Sequence, residues 1–147
     1  MTTVRDMLKA KGNQVWSIAP GTSVLQALEI MAEKNVGALL VLQDEQLAGI
    51  ISERDFSRSI AKNGICMIDV PVQDIMTKEV FTVLPELSTE ECMSLMTEKH
   101  IRHLPVVVEN KLLGLISIGD VVKEVISAKE SHIHILENYI EGTDYAR

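Results

Sequence analysis

The stretches Gly49-Ile-Ile-Ser-Glu-Arg-Asp55 and Gly114-Leu-Ile-Ser-Ile-Gly-Asp120 decide the fold of this chain, because they are two copies of one pattern. Each has a glycine, two apolar residues, a serine and, three residues after the serine, an aspartate. Ser-x-x-Asp is typical of a helix start, where the hydroxyl accepts from a backbone N–H and the acid lies in the first turn. The pattern therefore predicts two equivalent strand-to-helix junctions.

The similarity extends outward from these junctions. Residues 15–58 align with residues 80–123 without a gap, and 13 of the 44 pairs are identical, among them Pro20 with Pro85. Apolar character persists where identity is lost. The leader at 4–8 also resembles the stretch at 72–76. A period of about half the chain indicates a duplicated domain, since solenoids repeat many shorter units.

Each copy predicts the element order β-α-β-β-α, which makes the fold class α/β with an α+β arrangement. In the first copy the elements are a strand at 15–18, a helix capped by the Thr22/Ser23 pair and closed by Asn35 and Gly37, strands at 38–42 and 47–51, and a helix from Ser52 to about Gly64. In the second they are a strand at 80–83, a helix at 88–99, strands at 103–108 and 112–116, and a helix from Ile118 onward. The predicted units are repeat 1 (1–70), repeat 2 (71–130) and a helical tail (131–147).

Composition excludes several classes of function. Lysine and arginine number 14 against 21 acidic residues, and a net charge of −7 disfavours nucleic acid and anionic membranes as partners. Cys66 and Cys92 lack C-x-x-C spacing, and the histidines lack companions for a zinc site. No apolar run approaches the ~18 residues needed to span a bilayer, and no targeting segment is visible. We therefore expect a cytoplasmic protein with neither a metal site nor membrane insertion.

Two tandem β-α-β-β-α units that each carry Gly-h-h-Ser-x-x-Asp, where h is apolar, resemble the paired cystathionine β-synthase (CBS) domain, or Bateman module. The run Lys99-His-Ile-Arg-His-Leu-Pro-Val106 adds to the resemblance, which covers nearly the whole chain from about Val4 to Val125. It implies two repeats related by a pseudo-twofold axis, with nucleotide clefts between them.

The Ser-x-x-Asp motif has two interpretations at this point. As a structural feature it caps a helix and nothing more. As a functional feature, the same helix N-terminus offers free N–H groups to a phosphate. The resemblance places the hydroxyl near the ligand phosphate and lets the aspartate accept hydrogen bonds from the ribose hydroxyls, which suits a group with two acceptor oxygens and no donor.

The resemblance implies one cleft around Asp55 and a second around Asp120. The first would take, from both repeats, Ser52, Arg54, Asp55, Thr77, Arg102, His103 and Pro105. The second would take Lys9, Val36, Gly37, Ala38, Ser117 and Asp120. Here Gly119 stands where the first cleft has Arg54, so the second cleft is expected to be weaker, to take a less charged ligand or to stay empty.

The function implied by the resemblance is regulatory sensing of an adenine nucleotide, with no required cofactor and no catalysis. AMP is the first choice of ligand, with a dinucleotide (NAD) next and ATP, ADP or S-adenosylmethionine as alternatives. The regulated enzyme or transporter would be a separate chain, and the module is expected to be a homodimer that associates through its helices. A dimerising scaffold with vestigial clefts is the alternative. The stripe Ile133, Leu136 and Ile140 of the tail fits either the dimer or the effector.

Overall fold

The structure is a computed structural model that describes residues 1–141. Its elements, in chain order, are α1 (Val4–Lys11), β1 (Ser17–Ile18), α2 (Val24–Lys34), β2 (Ala38–Gln43), β3 (Gln46–Ser52), α3 (Glu53–Asn63), a 3-10 turn (Val72–Asp74), α4 (Thr89–Lys99), β4 (His103–Val108), β5 (Lys111–Ser117) and α5 (Ile118–Ile140). The duplicated α+β fold predicted from the sequence is confirmed.

Helix starts follow the capping residues of the sequence. All five α-helices begin with a reciprocal capping box, in which a Ser or Thr side chain accepts from the residue three positions later and that residue's side chain accepts in return. Gly64 ends α3 in the left-handed conformation with φ 71°, as predicted. These local contacts explain why the limits of α2, α3 and α4 could be predicted well, whereas α1 was not predicted from the sequence.

The two sheets differ by one strand. In the first repeat, β1 is parallel to β2, and the N–H of Leu40 donates to the carbonyl of Trp16 over 3.1 Å. The aligned residue in the second repeat is Pro105, which has no N–H to donate. Pairing there shrinks to one isolated bridge between Val83 and Val106. The predicted strand at 80–83 is therefore wrong, and the strand predicted at 15–18 keeps only its last two residues.

Each repeat has its own apolar core, and the leaders of the repeats are exchanged. The leader of the first repeat, α1, buries Val4, Met7 and Leu8 in the second core. The leader of the second repeat buries Val72 in the first core, where its N–H donates to the carbonyl of Thr22 over 2.8 Å. The exchange holds the two repeats together, because burying each such apolar side chain contributes about 1.5–3 kcal/mol.

Helix α5 continues without a break to Ile140 and is exposed to solvent along its second half. The tail predicted at 131–147 thus begins inside this helix, and its residues 142–147 lie outside the described part of the chain. The unit limits at 70 and 130 stay predictions. Among residues 1–141, no helix has the length and apolarity to cross a membrane.

Candidate functional site

The glycine that opens each Gly-h-h-Ser-x-x-Asp motif lies where the exchanged leader crosses the strand. A Cβ on Gly49 would come within 2.7 Å of the carbonyl oxygen of Thr77, and one on Gly114 within 2.6 Å of Cδ2 of Leu8. Each glycine therefore lets a leader from the other repeat pass close to the motif. Sequence reasoning missed this role, although a glycine inside a strand is a known signal of close backbone approach.

This crossing carries Thr77 to Asp55. Ile50 and Thr77 form two main-chain hydrogen bonds next to Gly49. The N–H of Ile50 donates to the carbonyl of Thr77 over 3.0 Å, and the N–H of Thr77 donates to the carbonyl of Ile50 over 2.9 Å. The Thr77 hydroxyl then donates to Oδ1 of Asp55 over 2.8 Å. The other oxygen, Oδ2, accepts from the N–H and hydroxyl of Ser52 over 2.9 and 3.0 Å. The three residues predicted to meet across the repeats are thus in contact.

A cavity of about 250 Å³ opens beside this cluster and is lined by both repeats. Six residues predicted for the first cleft line it: Ser52, Arg54, Asp55, Thr77, Arg102 and His103. The seventh, Pro105, is buried inside β4 with less than 2% of its surface exposed and is not part of the lining. Residues whose lining role the sequence did not indicate include Ile50, Glu53, Glu79, Val80, Phe81 and Ile101.

The cavity has a cationic side. Arg54 and Arg58 lie one turn apart on α3, and Arg102 approaches from the second repeat. Nη1 of Arg54 donates to the carbonyl of His100 over 2.8 Å, which ties α3 to the end of α4. Guanidinium groups bind phosphate through paired N–H donors, so this side of the cavity suits an anionic group.

The cavity also has an apolar side, formed by Ile50, Val80, Phe81 and Ile101. The Phe81 ring is 45% exposed, and Nζ of Lys99 lies 5.3 Å from its centroid. Apolar and aromatic walls beside a few polar groups are the usual composition of a small-molecule site. The lining thus combines apolar and aromatic groups that suit a flat heterocycle with guanidinium groups that suit an anionic group.

His103 lines the cavity from the second repeat. Burial lowers the pKa of this imidazole, and the nearby charges of Lys11 and Arg102 lower it further. Because the ordinary value is 6.5, His103 is neutral at pH 7 and offers one donor and one acceptor to the cavity.

Around Asp120 the arrangement differs from the prediction. Nζ of Lys11 lies 2.6 Å from Oδ2 of Asp120 and also donates to the carbonyl of Leu115 over 2.9 Å. Burial raises the pKa of Asp120, but the hydrogen bonds from Lys11 and Ser117 and the charge of Lys11 outweigh it, so the pKa lies below 3.8. The predicted lysine, Lys9, is exposed on α1. Residues 4–8 align with 72–76 at an offset of 68, whereas 15–58 align with 80–123 at an offset of 65. The first copy therefore has three extra residues after its leader, and this difference was the signal that its contact with Asp120 could shift to Lys11.

Three other residues predicted for the second cleft have contacts within the first repeat or at the Asp55 cavity. Val36 packs against the first core, and Ala38 is buried in β2 with 4% of its surface exposed. Gly37 lines the Asp55 cavity instead, and its carbonyl accepts from the N–H of Glu53 over 3.1 Å. Ser117, also predicted for this cleft, contacts Asp120 through the 2.8 Å capping bond from its N–H to Oδ2.

The duplicated fold agrees with comparison to known families. The CBS domain profile matches this chain twice, over residues 4–62 and 72–127. The chain belongs to the CBS domain family. The limits of the two matched CBS domains include both exchanged leaders, so each matched segment contains a leader that packs on the other repeat.

Relatives of this CBS pair include other CBS-domain proteins. The mitochondrial CBS domain-containing protein CBSX3 of Arabidopsis thaliana is 39% identical over 96% of this chain and 73% of its own length. The crystal structure of the CBS domain NE2398 is 46% identical with a TM-score of 0.80, covering 85% of this chain and 98% of that one. The CBS domain pair of MJ0100, in complex with 5-methylthioadenosine and S-adenosyl-L-methionine, has a TM-score of 0.75 at 22% identity over 88% of this chain and 98% of that one.

Proposed function

We propose that this CBS pair is a regulatory module that binds an adenine nucleotide, AMP before other candidates, in the Asp55 cavity. The supporting observation is the 2.8 Å hydrogen bond from Thr77 to Asp55, which joins the two repeats at a carboxylate that lines the cavity. A separate effector protein would respond to whether the cavity holds a nucleotide. The proposed role is regulatory, and we expect the module to catalyse no reaction.

The proposed binding mode assigns each side of the cavity to one part of the nucleotide. Three of the roughly four acceptor positions of Asp55 already bind Ser52 and Thr77, so Asp55 accepts one ribose hydroxyl directly and the other once the Ser52 hydroxyl turns to the phosphate. Arg54 and Arg58 bind the phosphate, and Phe81 with Ile101 packs against the base. The Ser52 hydroxyl lies at the start of α3, where the partial positive charge of the helix favours an anion.

Size and charge favour AMP over larger nucleotides. The cavity of about 250 Å³ is smaller than the roughly 300–1,000 Å³ common for ligand pockets. Its guanidinium groups are offset by the carboxylates of Glu53, Asp55 and Glu79, so the site suits one phosphate better than three. The adenosine compounds named for MJ0100 support an adenine ligand, and S-adenosylmethionine, ADP, ATP and NAD remain the alternatives.

Ligand binding has a physical route to a signal. Arg54 donates to the carbonyl of His100 over 2.8 Å, and a phosphate at Arg54 would compete for the same guanidinium. The ligand would therefore favour the arrangement of α3 and α4 in which Arg54 no longer contacts His100, and binding would shift the population toward that arrangement. An effector that recognises either arrangement would sense the nucleotide.

We propose that the module works as a homodimer through its helices. On α5, Ile126, Ile133 and Ile140 recur every seven residues and are 51%, 53% and 81% exposed. A seven-residue apolar repeat is typical of helices that pair with another helix, and a second copy of this chain supplies an identical face.

The alternative is a dimerising scaffold whose clefts bind nothing. Calorimetric titration with AMP, ADP, ATP, NAD and S-adenosylmethionine separates the two, with 2′,3′-dideoxy-AMP as a matched probe of the diol contact. We expect AMP to bind tightest and the dideoxy compound to bind more weakly. Absence of binding across this series would overturn the sensor proposal, and nucleotide turnover during the titration would overturn the non-catalytic role.

A further inference from the structure

The carboxylates of Asp55 and Asp120 occupy equivalent positions but have different partners. Both accept the main-chain N–H of the capping serine, over 2.9 Å at Ser52 and 2.8 Å at Ser117. The leader then supplies a neutral hydroxyl to Asp55, from Thr77, and an ammonium to Asp120, from Lys11. The negative charge is therefore neutralised at one position only.

Lys11 is held at Asp120 by the packing of α1. This helix buries Leu8 against Gly114 of β5, and its first turn donates N–H groups from Val4 and Arg5 to the carbonyls of Leu87 and Pro85 over 2.8 and 2.9 Å. Besides Asp120, the ammonium donates to the carbonyl of Leu115. The ion pair is partly shielded, with 34% and 24% of the two side chains exposed.

We infer that Lys11 closes the Asp120 cleft of this CBS pair to nucleotides, so that each chain takes one nucleotide, in the Asp55 cavity. This inference rests on the proposed function. A ribose at Asp120 would have to displace an ammonium, exchanging an ion pair in which donor and acceptor are both charged for hydrogen bonds in which only the carboxylate is charged. At Asp55 the ligand meets a carboxylate whose charge is not paired with a cation.

The Asp120 cleft also has fewer groups that could donate hydrogen bonds to a phosphate, which further disfavours a nucleotide there. Gly119 stands in α5 where α3 has Arg54, so the helix start at Asp120 lacks the equivalent guanidinium. The Lys11 ammonium does not replace it, because two acceptors of the protein, Asp120 and Leu115, already share its donors. The cation at this cleft thus joins α1 to the second repeat.

Counting the AMP molecules bound per chain by calorimetry tests the inference. We expect one for the wild type, two for Lys11→Ala, and one for Lys11→Arg, which keeps the cation. Lys62→Ala, a change of an exposed lysine on α3, is the matched control and should bind one. The second AMP of Lys11→Ala should disappear in the double variant Lys11→Ala, Asp120→Ala. Circular dichroism and thermal unfolding check that the variants are folded.

The outcomes separate this inference from the proposed function. Two AMP per wild-type chain, or one per Lys11→Ala chain, would overturn the role of Lys11 and leave nucleotide binding intact. No AMP on the wild type but one on Lys11→Ala would overturn binding in the Asp55 cavity and support the role of Lys11. No binding to either protein would overturn both.

Discussion

The hydroxyl of Thr77 donates a 2.8 Å hydrogen bond to Oδ1 of Asp55, although the two residues are 22 positions apart and belong to different CBS repeats. Thr77 sits on the leader that crosses Gly49, and Asp55 sits in the first turn of α3. The contact therefore places a carboxylate that caps a helix at the edge of a cavity shared by both repeats.

Removing the carboxylate at this contact should weaken nucleotide binding. We expect Asp55→Ala to lower AMP affinity about 10- to 100-fold, because hydrogen bonds to a charged group contribute roughly 1.5–3 kcal/mol. The loss of first-turn charge should cost only about 0.3–1 kcal/mol of stability. Calorimetry and thermal unfolding measure the two effects, with the exposed Asp69→Ala as control. Unchanged affinity in a less stable Asp55→Ala protein would favour the purely capping role.

Removing the Thr77 hydroxyl should have a smaller effect. In Thr77→Val the carboxylate of Asp55 loses the donor that orients it, and we expect AMP affinity to fall about 3- to 10-fold, in line with roughly 1 kcal/mol for one hydrogen bond. Thr97→Val, on the exposed face of α4, is the control. If Thr77→Val binds AMP as well as the wild type, the hydroxyl does not orient Asp55 for the ligand.

The two motif glycines should differ in what they affect. A Cβ on Gly49 or Gly114 would overlap the crossing leader, so either alanine variant should lose about 1–3 kcal/mol of stability. Gly49→Ala should also weaken AMP binding, since it displaces Thr77, whereas Gly114→Ala should not. Urea unfolding and calorimetry test this against Gly21→Ala, where a Cβ meets nothing within 4 Å. Equal stability of all three variants would contradict the close crossing.

The Lys11 ion pair should make stability depend on pH in the acid range. Because the pKa of Asp120 is lowered below 3.8 in the folded protein, the pair stabilises the fold above that value and loses its effect as pH falls through the folded pKa. We expect Lys11→Ala to be less stable than the wild type near neutral pH, with the difference shrinking as the pH falls below 3.8. Urea unfolding across this range measures it, and a difference that grows at low pH would contradict the assignment.

The exposed stripe of α5 should control association. We expect sedimentation at micromolar concentration to show a dimer for the wild type and a monomer for Ile133→Glu, because a charge in an apolar helix interface is costly. Ile135→Glu is the matched control, since Ile135 is 60% exposed on the same helix but lies off the seven-residue stripe. A monomeric wild type would contradict the proposed dimer.

Features that depend on neighbouring residues could be predicted from the sequence. The caps at Ser52 and Ser117, the helix end at Gly64 and the strand β4 follow from hydrogen bonds and apolar periods within a few positions. The duplication revealed the motif glycines and both aspartates, and with the family resemblance it placed six residues that line the Asp55 cavity.

What the sequence by itself determined is thus the duplicated α+β fold and the caps around each aspartate, because these depend on local chain chemistry. Tertiary structure decided which residues complete each site, since that depends on where a leader packs on the opposite repeat. It selected Lys11 over Lys9 at Asp120, and it turned 80–83 into a single bridge because Pro105 cannot donate. The length and direction of α1 set the reach of its last lysine, and this long-range geometry is absent from any short stretch of sequence.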